Sequence, residues 1–404
     1  MRKVITFLII LCVFLVNVSF ADEIDVREIE NENDYTLLEN YETFNLYAKV
    51  IEAGEQETIN DGYTSYIVQK IKVKILDKRF KDKEFEIINY LEDGINSNLP
   101  LYEKLKVGDK VYVYGIYENN KLDVSAVSYY DKTPWILGLL IIFLLSIVII
   151  GGKNGVKAII GLLLTIALIF GFLIPGILAG KNIILLTIII CTLVIVLTFL
   201  IISGFKKKTY VAIIGTVGGI VMAAVIGAIF SNLMRLTGIN EHARMISVAI
   251  EAGRKMISFK DVMLSAIMVS AMGACMDVGM SISSALQEIK SKRNDISYKE
   301  LIKSGLNIGK DVMGTMTNTL ILAYVGSAML CILLYNVNGF DLSFVLNAED
   351  ITDEILKSMA GSMGLIATIP ITAIVGGLLI GNEKPDKVEK KEENEEIPVN
   401  YFKG

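Results

Sequence analysis

Seven strongly apolar runs, most of them without a single charged side chain, restrict what this chain can fold into more than any other feature. Their cores lie near Pro134–Gly151, Val156–Ile174, Ile183–Ser203, Val211–Phe230, Val262–Ser281, Val312–Leu334 and Met359–Ile380. Crossing about 30 Å of hydrocarbon takes roughly 17–25 helical residues. Backbone N–H and C=O groups find no water there, so each such run has to satisfy them internally as a helix. With 53% hydrophobic and 21% charged residues, the remainder offers too little polar surface for a soluble chain of this length.

The N-terminus differs from these runs. Arg2-Lys3 precede a short apolar block, Val4 to Val16, and then Ser19-Phe20-Ala21, the pattern of a secretory signal (1–21) with small residues suited to cleavage after Ala21. The alternative is an uncleaved anchor, and either would export residues 22–133. Residues 22–43 are an acidic leader carrying Asp22, Glu23, Asp25, Glu28, Glu30, Glu32 and Asp34, and read as a tether. The cysteines are Cys12, Cys191, Cys275 and Cys331, so the exported portion cannot depend on disulfides.

Between 44 and 132 the periodicity changes to two. Lys70, Lys72 and Lys74 alternate with Ile71, Val73 and Ile75, Gly108-Asp109 introduces Val111 and Val113 alternating with Tyr112 and Tyr114, and Asn119-Asn120 precede Leu122–Val127. About five short strands are expected, as a small barrel of OB-like type or as a small β-sandwich. The expected fold is therefore a membrane α-helical bundle of about seven transmembrane helices (133–382), preceded by a small exported all-β domain and followed by a charged cytoplasmic tail (383–404).

Loop charges set the orientation, because Lys and Arg accumulate on the cytoplasmic side. With the β domain outside, Lys153, Lys206-Lys207-Lys208 and the connection after Ser284, with Lys290, Lys292, Arg293, Lys299, Lys303 and Lys310, fall inside. The expected outer loop after Tyr335 is acidic, with Asp341, Glu349, Asp350, Asp353 and Glu354. Residues 231–261 break the rule with Arg235, Arg244, Arg254, Lys255 and Lys260; Ala243, Ile246, Ile250, Gly253 and Ile257 recur there at helical spacing, as in an interfacial amphipathic helix or an ordinary soluble connecting helix.

One charge sits inside an otherwise uncharged stretch, Asp277 between Val262 and Gln287. Holding an Asp at the centre of a spanning helix costs about 2.5–3.5 kcal/mol, so such residues usually face protein or a water-filled path. Ser270, Ala274, Asp277, Ser281 and Ser284 follow spacings of three and four and share one stripe. On the next helix Asp311, Thr315 and Asn318 do the same, with Thr317 and Tyr324 on a neighbouring face. Because consecutive helices run in opposite directions, the two aspartates are expected at similar depth, where close carboxylates tend to share a proton. The competing account is that these hydroxyls and amides only hold helices together, and that Asp311 is a surface residue beside Lys310. Gly215-x-x-x-Gly219 and Gly377-x-x-x-Gly381 point to close helix packing.

Catalytic signatures are missing: the chain has no Gly-x-Ser-x-Gly, no His-Glu-x-x-His and no phosphate-binding loop, and its only histidine is His242. Paired membrane aspartates occur in intramembrane proteases, yet Asp277 has no tyrosine before it and Asp311 no glycine. The expectation is a protein that is not an enzyme and uses no cofactor or metal. Its expected partners are the lipid bilayer, a proton or cation, and an extracytoplasmic protein, without nucleic acid.

Gly273-Ala274-Cys275-Met276-Asp277-Val278, Ser281-Ile282-Ser283-Ser284-Ala285, Gly309-Lys310-Asp311-Val312-Met313-Gly314-Thr315 and Ala323-Tyr324-Val325-Gly326 resemble the core motifs of the YibE/F family. With the Gly108-Asp109-Lys110-Val111 strand entry, the resemblance extends over about 45–381. It implies a multi-pass bacterial plasma-membrane protein and brings no catalytic role with it. A transporter or permease using Asp277 is the expected function, a non-transporting scaffold whose exported domain binds a partner the alternative.

Overall fold

The computed structural model describes residues 41–60, 65–91, 103–118, 121–250 and 257–381. The expected signal, nearly all of the acidic leader and the charged tail lie outside the described residues, as does the end of the amphipathic segment from Glu251 to Met256. Two compact units divide between Ser146 and Ile147.

The first unit is built on a closed five-stranded barrel: β1 (Tyr41–Asn60), β2 (Ser65–Ile75), β3 (Glu84–Tyr90), β4 (Lys110–Glu118) and β5 (Lys121–Tyr130), in the order β1-β2-β3-β5-β4. Alternation along each strand sends Ile71, Val73, Ile75, Val111 and Val113 into a core with Leu46, Ala48 and Val50. β1 pairs with β2 along one part and with β4 along another, and register shifts at Val50/Glu52 and Ala53/Gln56 bend it between the two roles.

Inside the barrel Gln69 is fully buried. Its amide donates to the carbonyls of Gly54 (3.0 Å) and Leu105 (2.9 Å) and accepts from the Leu105 N–H (2.9 Å), fastening the segment before β4 to the sheet. At the barrel end Tyr47 Oη donates to Asp131 Oδ2 (2.7 Å) while Asp131 Oδ1 accepts from the Thr133 N–H (3.0 Å), so one carboxylate links β1 to the first helix. Bonding to Tyr47 and Thr133 holds the Asp131 carboxyl below its usual range, and the same bond pushes the Tyr47 phenol up to about 12.

That helix, α1 (Thr133–Leu168), passes through a π-helical turn (Ile169–Leu173) into α2 (Ile174–Leu178). The 46 residues from Thr133 to Leu178 hold the first two apolar runs as two helical segments that meet at Gly152, whose φ of 52° and ψ of −129° leave the helical region. A side chain at Gly155 would overlap the carbonyl of Ile147. Residues eight apart lie about 12 Å apart in a straight helix, so the chain turns sharply here, where Gly151 and Gly152 permit it.

The second unit continues with α3 (Ile183–Ser203), α4 (Lys207–Leu233), α5 (Glu241–Ile250), α6 (Phe259–Lys292), α7 (Tyr298–Ser327), α8 (Met329–Val337), α9 (Leu342–Asn347) and α10 (Glu349–Gly381). Among the described residues five helical stretches are long and apolar enough to span a membrane, or six when α7 and α8, bent by 52°, count as one. The long inner connection expected after Ser284 is mostly helix. α6 runs on to Lys292, where Lys290 Nζ donates to the carbonyls of Asn294 (3.0 Å) and Ile296 (3.3 Å), and α7 opens three residues after Asp295 on a Ser297–Glu300 capping box.

α10 is the packing centre, with α4, α6 and α7 around it. Small residues make this possible: a side chain at Gly215 or Gly219 would overlap Thr372 or Thr368, and one at Gly305 or Gly309 would meet Ala373 or Ile369. Gly377 and Gly381 admit Ile302 and Tyr298 of α7 in the same way. α3 joins through a Thr187–Ser265 hydroxyl pair (2.7 Å).

Candidate functional site

α6 buries Ala271, Met272, Cys275, Val278, Gly279 and Ile282 against its neighbours. The 3.6-residue repeat then places Ser270, Gly273, Asp277 and Ser281 on the opposite, exposed face, with Ser284 half-buried beside Lys208 Nζ (3.4 Å). On α7, Leu301, Gly305 and Gly309 are buried, and Asp311, Thr315 and Asn318 are exposed. Both stripes therefore look away from the tightly packed contacts with α10. Gly273 and Gly314 have no atom within 4 Å of where a side chain would begin, so open space adjoins each stripe.

Two contacts fix the relative depth of the stripes. Gly361 of α10 lies against both Ala271 of α6 and Leu320 of α7, and Gly305 of α7 lies against Leu286 of α6. Counting along the antiparallel pair from either contact brings Asp277 level with Gly314, which leaves Asp311 about 4.5 Å away along the axis at 1.5 Å per residue. The carboxylates share a depth, and no hydrogen bond joins them. Nor does Asp277 have a hydrogen bond or ion pair among the described residues.

Toward the other end of the pair, Tyr324 sits half-buried beside Ser270. It also lies in the field of three charges, Asp353, Glu354 and Lys357, from the segment whose acidity suggested an outer loop. These belong to the first three turns of α10, where spacings of three and four bring Lys357 Nζ to 2.8 Å from Asp353 Oδ2 and 2.9 Å from Glu354 Oε1. Ser327 of α7 donates to Glu354 Oε2 (3.4 Å). Asp353 is only 7% exposed, and its Oδ1 has no partner. The signal that could have located this group was the i, i+3, i+4 charge pattern abutting an apolar run, which marks a helix beginning before its hydrophobic core.

The start of α10 is held by Glu349, whose Oε1 accepts from the Thr237 N–H (2.7 Å), the Thr237 hydroxyl (2.6 Å) and the Gly238 N–H (2.9 Å). Polar positions thus recur along α6 and its neighbours: the Asp353–Lys357–Glu354 group with Tyr324 and Ser270 near one end, Asp277 midway, and Ser281, Ser284 and Lys208 near the other.

A family model described as YibE/F-like protein matches residues 139–382 of the chain. The barrel lies outside that stretch, which narrows the resemblance read from the motifs to the helical part. No curated protein and no solved structure matches.

Proposed function

Since the chain belongs to the YibE/F-like protein family, and its matched stretch is a membrane protein's set of apolar helices, we propose that it is a multi-pass plasma-membrane permease whose path follows the exposed polar stripes of α6 and α7. The observation that carries this reading is Asp277. A carboxylate midway along a spanning helix, without a partner and beside open space, costs stability that a merely structural residue would not be expected to impose. Its role is to bind and release a proton or cation, assisted by Asp311, Thr315 and Asn318 at similar depth, with Ser270 and Tyr324 toward one mouth and Ser281 and Ser284 toward the other. The path carries no catalytic group and needs no cofactor or metal.

The orientation proposed from loop lysines puts the barrel outside and the tail inside. The strand order β1-β2-β3-β5-β4, closed by β1 on β4, supports taking the barrel as OB-like. A second reading, a scaffold whose barrel binds an extracytoplasmic protein, is favoured by a groove of about 420 Å³ lined by Glu52, Gly54, Lys70, Lys72 and Glu86. The two readings separate in proteoliposomes. Single cysteines at Ser270, Asp277, Ser281 and Ser284 react with aqueous thiol reagents if they line a path, and Asp277→Asn abolishes proton- or cation-linked flux. Protection of all four positions, with flux unaltered in Asp277→Asn, leaves the scaffold reading.

A further inference from the structure

The Asp353–Glu354–Lys357 group contains two carboxylates and one ammonium, all within one and a half turns of α10 and all largely withdrawn from the surface, with side-chain exposures of 10%, 28% and 17%. Lys357 is already shared between Asp353 Oδ2 and Glu354 Oε1, and Ser327 contributes its hydroxyl to Glu354. One negative charge is left over. No donor reaches the remaining oxygen of Asp353, because its Oδ1 is buried and unpartnered. An ionised carboxylate oxygen held this way is disfavoured, whereas the same carboxyl carrying a proton leaves no net charge in the buried group.

We infer that these three residues are a proton-binding site, in which one proton taken from water on Asp353 Oδ1 neutralises the group while Lys357 stays paired with Glu354. Release of that proton restores the net negative charge and the Lys357–Asp353 ion pair, so the balance is one proton in and one out, with no other co-reactant. The charged and titratable groups acting on Asp353 are Lys357, Glu354 and Glu349 on its own helix, and Tyr324 from α7 lies in the same field. Counted along α10, Lys357 and the level of Asp277 are about ten residues, or 15 Å, apart. The site rests on the permease reading for its purpose, as an entry point for the coupling proton, but not for its existence.

The test uses the full-length protein in detergent or nanodiscs, with the thermal unfolding midpoint followed from pH 5 to pH 9. A site that binds its proton in the folded state gives stability that is complete at low pH and falls as the proton is lost. Asp353→Asn mimics the protonated form, so its midpoint should lose that step and match or exceed the wild type at pH 9. Lys357→Gln leaves two acids without their cation and should move the step to higher pH. A wild-type midpoint whose pH profile is superimposable on that of Asp353→Asn overturns the proposal, as does a variant uniformly less stable at every pH, the behaviour of a plain ion pair. Because stability is read and not flux, a protein that titrates as described but transports nothing would retain this site and remove the permease reading.

Discussion

Gly219→Ala tests the packing that makes α10 the centre of the bundle. A methyl group there would overlap Thr368 Oγ1 and approach the carbonyl of Gly364 to 2.7 Å. Thr368 cannot swing aside freely, since it is fully buried and its hydroxyl donates to that same carbonyl at 3.0 Å. Inserting a methyl group into a closed contact costs about 1–3 kcal/mol. Displacing the threonine forfeits a hydrogen bond of about 0.5–1.5 kcal/mol, for a total near 2–4 kcal/mol. Gly273→Ala and Gly314→Ala meet nothing within 4 Å and should fall within about 1 kcal/mol of wild type, on the favourable side, because alanine is the better helix former. Equilibrium unfolding of the purified protein in mixed micelles gives all three values. Adding Thr368→Ala to Gly219→Ala should recover about 1–2 kcal/mol, a coupling expected only between residues in contact. Equal losses at Gly219 and Gly273, or no recovery in the double variant, would refute this account of the interface.

The link between the barrel and α1 predicts a pH dependence. Asp131 titrates below its ordinary value of 3.8, so its contribution is present above about pH 4 and lost as pH falls through the folded value; Tyr47, raised from 10.0 to about 12, contributes fully below pH 10 and loses it as pH rises toward 12. Tyr47→Phe should therefore lower stability by about 1 kcal/mol at pH 7 and flatten both limbs of the profile in a thermal melt. Gln69→Leu should cost about 2 kcal/mol or more, because the Leu105 N–H and C=O lose their partner in a buried site, and hydrogen exchange at Leu105 should rise with it. Glu349→Gln replaces a carboxylate that accepts three hydrogen bonds from Thr237 and Gly238 by a weaker, neutral acceptor, so hydrogen exchange at the Thr237 and Gly238 amides should be several-fold faster than in the wild type.

Much of the architecture was legible because it follows from local periodicity. Alternation of Lys70–Ile75 determined which side of β2 enters the barrel, and the three-and-four spacing of Ser270, Asp277 and Ser281 determined that they share a face of α6, both being consequences of backbone repeat lengths alone. The sequence also placed Asp277 and Asp311 near one depth, since antiparallel helices joined by a short turn must run level. Other features depended on what came to lie alongside. Asp353 and Glu354 looked like loop residues because charge density suggests solvent, and their withdrawal from the surface beside Ser327 and Tyr324 of α7 comes from packing around the early turns of α10. Asp277 and Asp311 remain unpaired because helix spacing and rotation about the axis, which no single helix encodes, turn both stripes outward. The turn between the first two apolar runs lies in the dihedral angles of Gly152, a choice glycine permits without specifying. The sequence by itself determined which residues share a face and a level, since both are set by rise and turn along one chain. Which faces meet, and so which charges are buried together, was decided by side-chain fit between helices distant in sequence, and that fit exists only in the tertiary structure.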